Sequence, residues 1–115
     1  MEEIVKGGSE VDIKLECIGQ TLVVKLSGEI DHHTSGDIRD ILDREISSGN
    51  VTNLVFDFDR VTFMDSSGIG MMVGRYKQIS ALGGKVMVIR VNPQLDKIFE
   101  ISGLKKILDF GKEKL

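Results

Sequence analysis

Asp65-Ser66-Ser67-Gly68, inside the run Phe63–Gly70, is the densest concentration of reactive groups in this chain. A carboxylate, two hydroxyls and two glycines (Gly68 and Gly70) follow Val61-Thr62-Phe63 and precede an apolar-periodic segment. The run therefore falls where a strand hands over to a helix, and the first N–H groups of a helix have no partner within it. Those groups and the helix dipole favour an anion. Two readings stay open on the residues alone. Asp and Ser are preferred helix caps and a glycine eases the turn, so the local pattern is first of all a helix start. An exposed serine here is also placed to accept a phosphate, which would add about −1.5 to −2 charges and three acceptor oxygens. At a helix N-terminus that charge would alter a surface without unfolding anything.

The other candidates are weaker. Gly68, Gly70 and Gly74 do not make a nucleotide loop: Val73 holds the third glycine position of the dinucleotide fingerprint, and Arg75-Tyr76 stands where a Walker loop needs Lys then Ser/Thr. Three glycines in one helix each cost about 1 kcal/mol relative to alanine. Close packing, within the fold or against a partner, is expected to offset that cost. On a helical wheel Met71 lies away from Ile69 and Tyr76 and is expected to face outward as a partner contact. Asp31-His32-His33-Thr34 is metal-like in composition, but adjacent histidines on a regular helix diverge and no third ligand supports them, so no metal is expected. A cap plus an interaction surface suits these four residues better. A Ser66 or Ser67 nucleophile with His32 or His33 as base lacks the G-x-S-x-G elbow. Asp57 and Asp59 read as the end of a strand. No catalytic site and no cofactor are expected.

The elements that hold these residues follow from periodicity. Val11, Ile13, Leu15 and Cys17 alternate with polar residues as a half-buried strand, with Cys17 as a small core residue. Gly19-Gln20 turns the chain into Leu22–Leu26, an antiparallel partner. A helix is predicted over about 33–48, with Ile38, Ile41, Leu42 and Ile46 inside, Asp31 or Thr34 as cap, and Asp40 placed to pair with Arg44. Asn53–Phe58 is apolar on both faces and reads as a central parallel strand. The second helix, about 66–82, turns Ile69, Met72, Val73, Tyr76 and Ile79 inward. Lys85–Val91 is a further buried strand, and Asn92-Pro93 opens a third helix closed by Gly103. Ile107, Leu108 and Phe110 suggest a last short strand or helix. The order β-β-α-β-α-β-α predicts an α/β fold, a mixed four- to five-stranded sheet with helices packed against it.

With 115 residues and 41% apolar content, the chain fits a single domain over residues 1–115, with residues 1–10 as a flexible arm. The net charge is −3 with signs interspersed, so no basic stripe points to nucleic acid. The longest apolar run, Val86–Ile89, is far short of the roughly 20 residues that span a bilayer, so no membrane partner is expected. A single cysteine fits a cytoplasmic location.

Four segments taken in order carry a resemblance: Gly28-Glu29-Ile30-Asp31, Phe63–Gly70, Gly74-Arg75-Tyr76-Lys77-Gln78-Ile79 and Ile101-Ser102-Gly103-Leu104. From about Val11 to Phe110 the chain resembles the bacterial anti-sigma factor antagonists, whose domain is called STAS. His32-His33-Thr34 with the Gly74–Ile79 run is most similar to the sporulation branch. The resemblance implies a STAS-type sheet and a switch. The unphosphorylated protein would bind an anti-sigma factor that is also a serine kinase and so free the sigma factor. Phosphorylation by that kinase would lower affinity, and a protein serine phosphatase would restore it. The family's acceptor corresponds to Ser66, although the wheel gives Ser67 the more outward angle. Around it, Asp31, His32, His33, Thr34, Asp65, Ser67, Gly68, Ile69, Gly70, Met71, Gly74 and Arg75 would form the partner surface. A stress-response antagonist acting on a different anti-sigma factor, or a small nucleotide-binding protein, are the alternatives.

Overall fold

The computed structural model describes residues 2–7 and 11–111. Strands β1 (Glu2–Gly7), β2 (Val11–Ile18), β3 (Thr21–Ile30), β4 (Asn53–Met64), β5 (Val86–Ile89) and β6 (Asp109–Gly111) lie in sequence order in one sheet. The first two pairings are antiparallel and the remaining three parallel. Each parallel step needs a crossover, supplied by α1 (Ser35–Ser47), α2 (Ser66–Ala81) and α3 (Pro93–Ser102). All three crossovers step the same way along the sheet, and right-handedness then places all three helices on one face.

That face holds the core. Ile13 and Leu15, Leu22, Val24 and Leu26, Leu54, Phe56 and Phe58, and Val86 and Val88 alternate inward along four strands. They meet Ile38 and Leu42 of α1, Met72 and Ile79 of α2, and Leu95 and Phe99 of α3. The mixed sheet with packed helices is as the sequence pattern demands, and two edge strands bring it to six. One is β1: the segment expected as a flexible arm pairs along Glu2–Gly7 with β2. Residues 8–10 of that arm lie outside the described residues. The other is β6, which resolves the strand-or-helix ambiguity near Phe110.

Three expectations are corrected. Cys17 is exposed rather than buried, because it sits at the hairpin end of β2, paired with Leu22 one step from the turn. Asp40 is paired with its neighbour Arg39, at 3.2 Å, and no pair with Arg44 occurs among the described ion pairs. Asp57 does not end its strand: β4 continues to Met64, and Asp57 is 2% exposed in its interior. Its carboxylate accepts from Arg90 Nε at 3.1 Å, and Arg90 Nη2 donates to the other oxygen. Hydrogen-bonding to Asp57 raises the Arg90 pKa above its ordinary value. Two irregularities let β4 run on beside β3: the register shifts between Lys25 and Ser27 and between Gly28 and Glu29. Gly28, at φ +105°, lies at the second shift, a backbone state that glycine adopts without steric cost.

Candidate functional site

The strand-to-helix junction lies at the carboxyl ends of β3 and β4, where open parallel sheets leave room for a site. Ile30 and Met64 are register partners there, and Asp65 N–H donates to the Ile30 carbonyl at 3.2 Å. The two strand ends thus deliver Asp31–Thr34 and Asp65–Ser67 side by side.

Asp65 caps α2. One carboxylate oxygen accepts from Ser67 N–H at 2.8 Å and, at 3.4 Å, from Gly68 N–H, which also donates to the Asp65 carbonyl at 3.1 Å. Both N–H groups are therefore occupied, and the open anion cradle imagined from the sequence is partly filled by the protein's own carboxylate. Ser66, the first helical residue, is exposed, while Ser67 is half-buried. The structure thus reverses the wheel angle that made Ser67 the more outward of the two. Gly68 is buried against the strand ends: a Cβ there would lie 2.5 Å from Met64 Cγ and 2.9 Å from Ile30 Cγ2. Its smallness serves internal packing. Gly70 and Gly74 differ, since a Cβ at either would meet nothing within 4 Å.

Asp31 organises the neighbouring turn. Its Oδ1 accepts from His33 N–H at 2.8 Å and Thr34 N–H at 3.1 Å. The Thr34 hydroxyl accepts from Asp31 N–H at 2.9 Å and donates to the Glu29 carbonyl at 2.8 Å. Desolvation pushes the Asp31 carboxyl up, but hydrogen bonds from His33 and Thr34 and the His33 charge outweigh it and hold the pKa below the ordinary value. His32 and His33 are both exposed, their rings edge to face with centroids 5.5 Å apart. Among the described residues no three His, Cys, Asp or Glu side chains are grouped as metal ligands.

Of the residues expected on an open surface, four are buried. Thr34 is a turn hydroxyl and Gly68 a packing contact. Met71, expected to face outward, is 5% exposed and part of the core. Arg75 is 8% exposed. Its Nε donates to Gln78 Oε1 at 2.9 Å and lies 3.2 Å from Asp43 Oδ1, tying α2 to α1. Burial lowers the Arg75 pKa, with Arg39 adding to the effect and Asp43 and Asp40 opposing it. The buried stripe of α2 is Gly68, Met71, Met72, Arg75 and Ile79. Met72 and Ile79 are inside as expected, while Ile69, Val73 and Tyr76 flank that line, partly buried against the core. Asp31, His32, His33, Asp65, Ser66, Ser67, Ile69, Gly70 and Gly74 remain exposed or half-exposed. The sequence reading missed Ser35, Gly36 and Arg39, which with His32, Ser67, Gly70, Met71 and Arg75 line a depression between α1 and α2. Their signal was faint: Ser35 and Arg39 are four residues apart on one helix face.

The model of the STAS domain matches residues 12–114. The chain belongs to the STAS domain family. An anti-sigma F factor antagonist of Paenibacillus polymyxa is 41% identical over 98 residues, 85% of this chain and 84% of that protein. The anti-sigma factor antagonist SpoIIAA in its unphosphorylated form superposes with a TM-score of 0.74 at 31% identity, covering 89% of each chain. SpoIIAA of Bacillus in its phosphorylated form gives 0.71 at 35% identity, covering 88% of this chain and 92% of that one. This STAS domain has no described helix long and apolar enough to cross a membrane.

Proposed function

We propose that this STAS domain is an anti-sigma factor antagonist acting in the cytoplasm: a binding module without catalysis of its own, switched by phosphorylation of Ser66. The observation that carries the reading is the exposed Ser66 at the capped start of α2, beside exposed His32, His33 and Gly70. In the unphosphorylated state that surface docks an anti-sigma factor, which releases its sigma factor. The same anti-sigma factor, holding ATP, transfers a phosphoryl group to the Ser66 hydroxyl, and a protein serine phosphatase removes it. The names of the relatives support this partner class. The Asp65 cap supports the switch: a phosphate on Ser66 finds a carboxylate already seated on the Ser67 and Gly68 N–H groups. The added charge then projects into the docking surface, where like-charge repulsion and phosphate desolvation weaken binding.

Mass spectrometry after incubation with the anti-sigma factor and ATP tests the assignment. Wild type gains one phosphate, Ser66→Ala gains none yet still binds, and Ser66→Asp binds weakly. A phosphate on Ser66→Ala would refute the choice of acceptor.

A further inference from the structure

Beside the proposed switch serine, α1 and α2 leave a depression of about 380 Å³ whose walls include His32, Ser35, Arg39, Ser67, Gly70 and Arg75. Its charged groups are two guanidiniums, and no carboxylate lines it, although the chain as a whole carries −3. Arg75 is the buried member. Its contact with Asp43 is an ion pair without a hydrogen bond, and Arg75 Nη1 and Asp43 Oδ1 are both buried with no hydrogen-bond partner. Arg39 is the open member, its side chain 53% exposed and paired, among the described residues, with Asp40. Both guanidiniums line the concavity while their ion-pair partners, Asp40 and Asp43, do not, so its charged wall offers donors and no acceptor carboxylate. Space is kept by small residues: a Cβ at Gly70 would meet nothing within 4 Å, and one at Gly36 only Arg39 Nη2, at 3.9 Å.

We infer that this depression receives an acidic side chain, an Asp or Glu of the docked anti-sigma factor, held between Arg39 and Arg75. The inference rests on the proposed function and adds the chemistry of the partner residue. Guanidinium forks match a carboxylate bidentately, which fixes orientation as well as affinity. Ser67, not Ser66, lines the depression, so an unmodified Ser66 stays at the rim, free for transfer. A phosphate on Ser66 repels the incoming carboxylate and so favours release.

Titration calorimetry of the anti-sigma factor with wild type, Arg39→Gln, Arg39→Glu and Arg44→Glu tests this. Arg44 is the exposed control on the same helix. The expected losses of affinity are about 10-fold for Arg39→Gln and about 100-fold for Arg39→Glu, against less than about 3-fold for Arg44→Glu. An Asp/Glu→Lys scan of the anti-sigma factor then recovers binding of Arg39→Glu at one position. Equal losses at Arg39 and Arg44, or no acidic position that rescues, overturns the inference while leaving the proposed function standing. Failure of wild type to bind removes both. A third result also overturns it: in the Ser66-phosphorylated protein, a phosphate pKa by ³¹P NMR that rises in Arg39→Gln would mean that the depression takes the phosphate instead.

Discussion

Replacing Gly68 by alanine adds a methyl group where the first turn of α2 meets the ends of β3 and β4. That carbon would lie 2.5 Å from Met64 Cγ, 2.9 Å from Ile30 Cγ2 and 3.1 Å from Met64 Sδ. Ile30 and Met64 are themselves core residues, 0% and 2% exposed, so neither side chain can swing into solvent. Overpacking of this kind costs about 1–3 kcal/mol. The gain in helix propensity offsets at most about 1 kcal/mol of it. The expected net loss is about 1–2 kcal/mol, or roughly 3–10 °C in Tm for a chain of this size. Gly70→Ala, two residues on, gains the propensity term with no clash, since nothing lies within 4 Å. It is expected to stabilise by about 0.5–1 kcal/mol. Urea denaturation followed by far-UV circular dichroism suits a chain with no tryptophan. A Gly68→Ala protein as stable as wild type, or a Gly70→Ala protein less stable, would refute the argument that only the first glycine is an internal packing requirement.

Asp65→Ala removes the acceptor for two helix N–H groups and is expected to cost about 1 kcal/mol, read as a lower urea midpoint with unchanged slope. Arg90→Ala leaves the Asp57 carboxylate buried with only the Asp59 N–H as a described donor. The expected loss is about 3 kcal/mol, and a loss under about 1 kcal/mol would show that Asp57 does not depend on its partner. Asp31 gives a pH signature. Its folded-state pKa is depressed, so its stabilisation is present above the ordinary value of 3.8 and lost as pH falls through the folded-state pKa. Asp31→Asn is therefore expected to be less stable than wild type at neutral pH and to converge with it in acid. A constant gap between the two urea midpoints from pH 7 down to pH 2 would contradict this.

The parts of the fold that obey simple periodicity were legible in the chain. Val11–Leu15, the turn at Gly19, the helix over Ile38–Ile46 and the Asn92-Pro93 start all stand where the pattern places them. Where the chain departs from a binary pattern, the reading slipped. The centre of the α2 stripe was set to one side of Met72 and Ile79 because its buried face also includes a glycine and an arginine, neither of which scores as apolar. Gly68 is interior because it must be small, and Arg75 because Asp43 of α1 receives it. No sequence pattern announces a partner 32 residues away. Asp57 slipped for the same reason, since its mate Arg90 is a strand away and occupies a left-handed backbone position at φ +59°. At the site itself the cap was legible and the exposure was not. Asp65 and its two N–H partners follow from local residue types, whereas the outward turn of Ser66 is set by how Gly68 seats the helix on Ile30 and Met64.

That seating bears directly on how a switch can work here. A phosphate that had to claim the Ser67 and Gly68 N–H groups would displace the Asp65 carboxylate, and with it the cap. The occupied cap makes that displacement unfavourable, so added charge on Ser66 stays outside the helix end. Its Coulombic cost to the fold is then that of an exposed pair with Asp65 in water, offset by the positive end of the helix dipole, each within about 1 kcal/mol. The cost rises only where a partner excludes water, because the same charge must then be desolvated. A cap satisfied from within the chain thus separates the stability of the domain from its affinity. The residues that hold the helix start, Asp65 and Gly68, are distinct from those proposed to meet a partner, Ser66, His32 and Arg39.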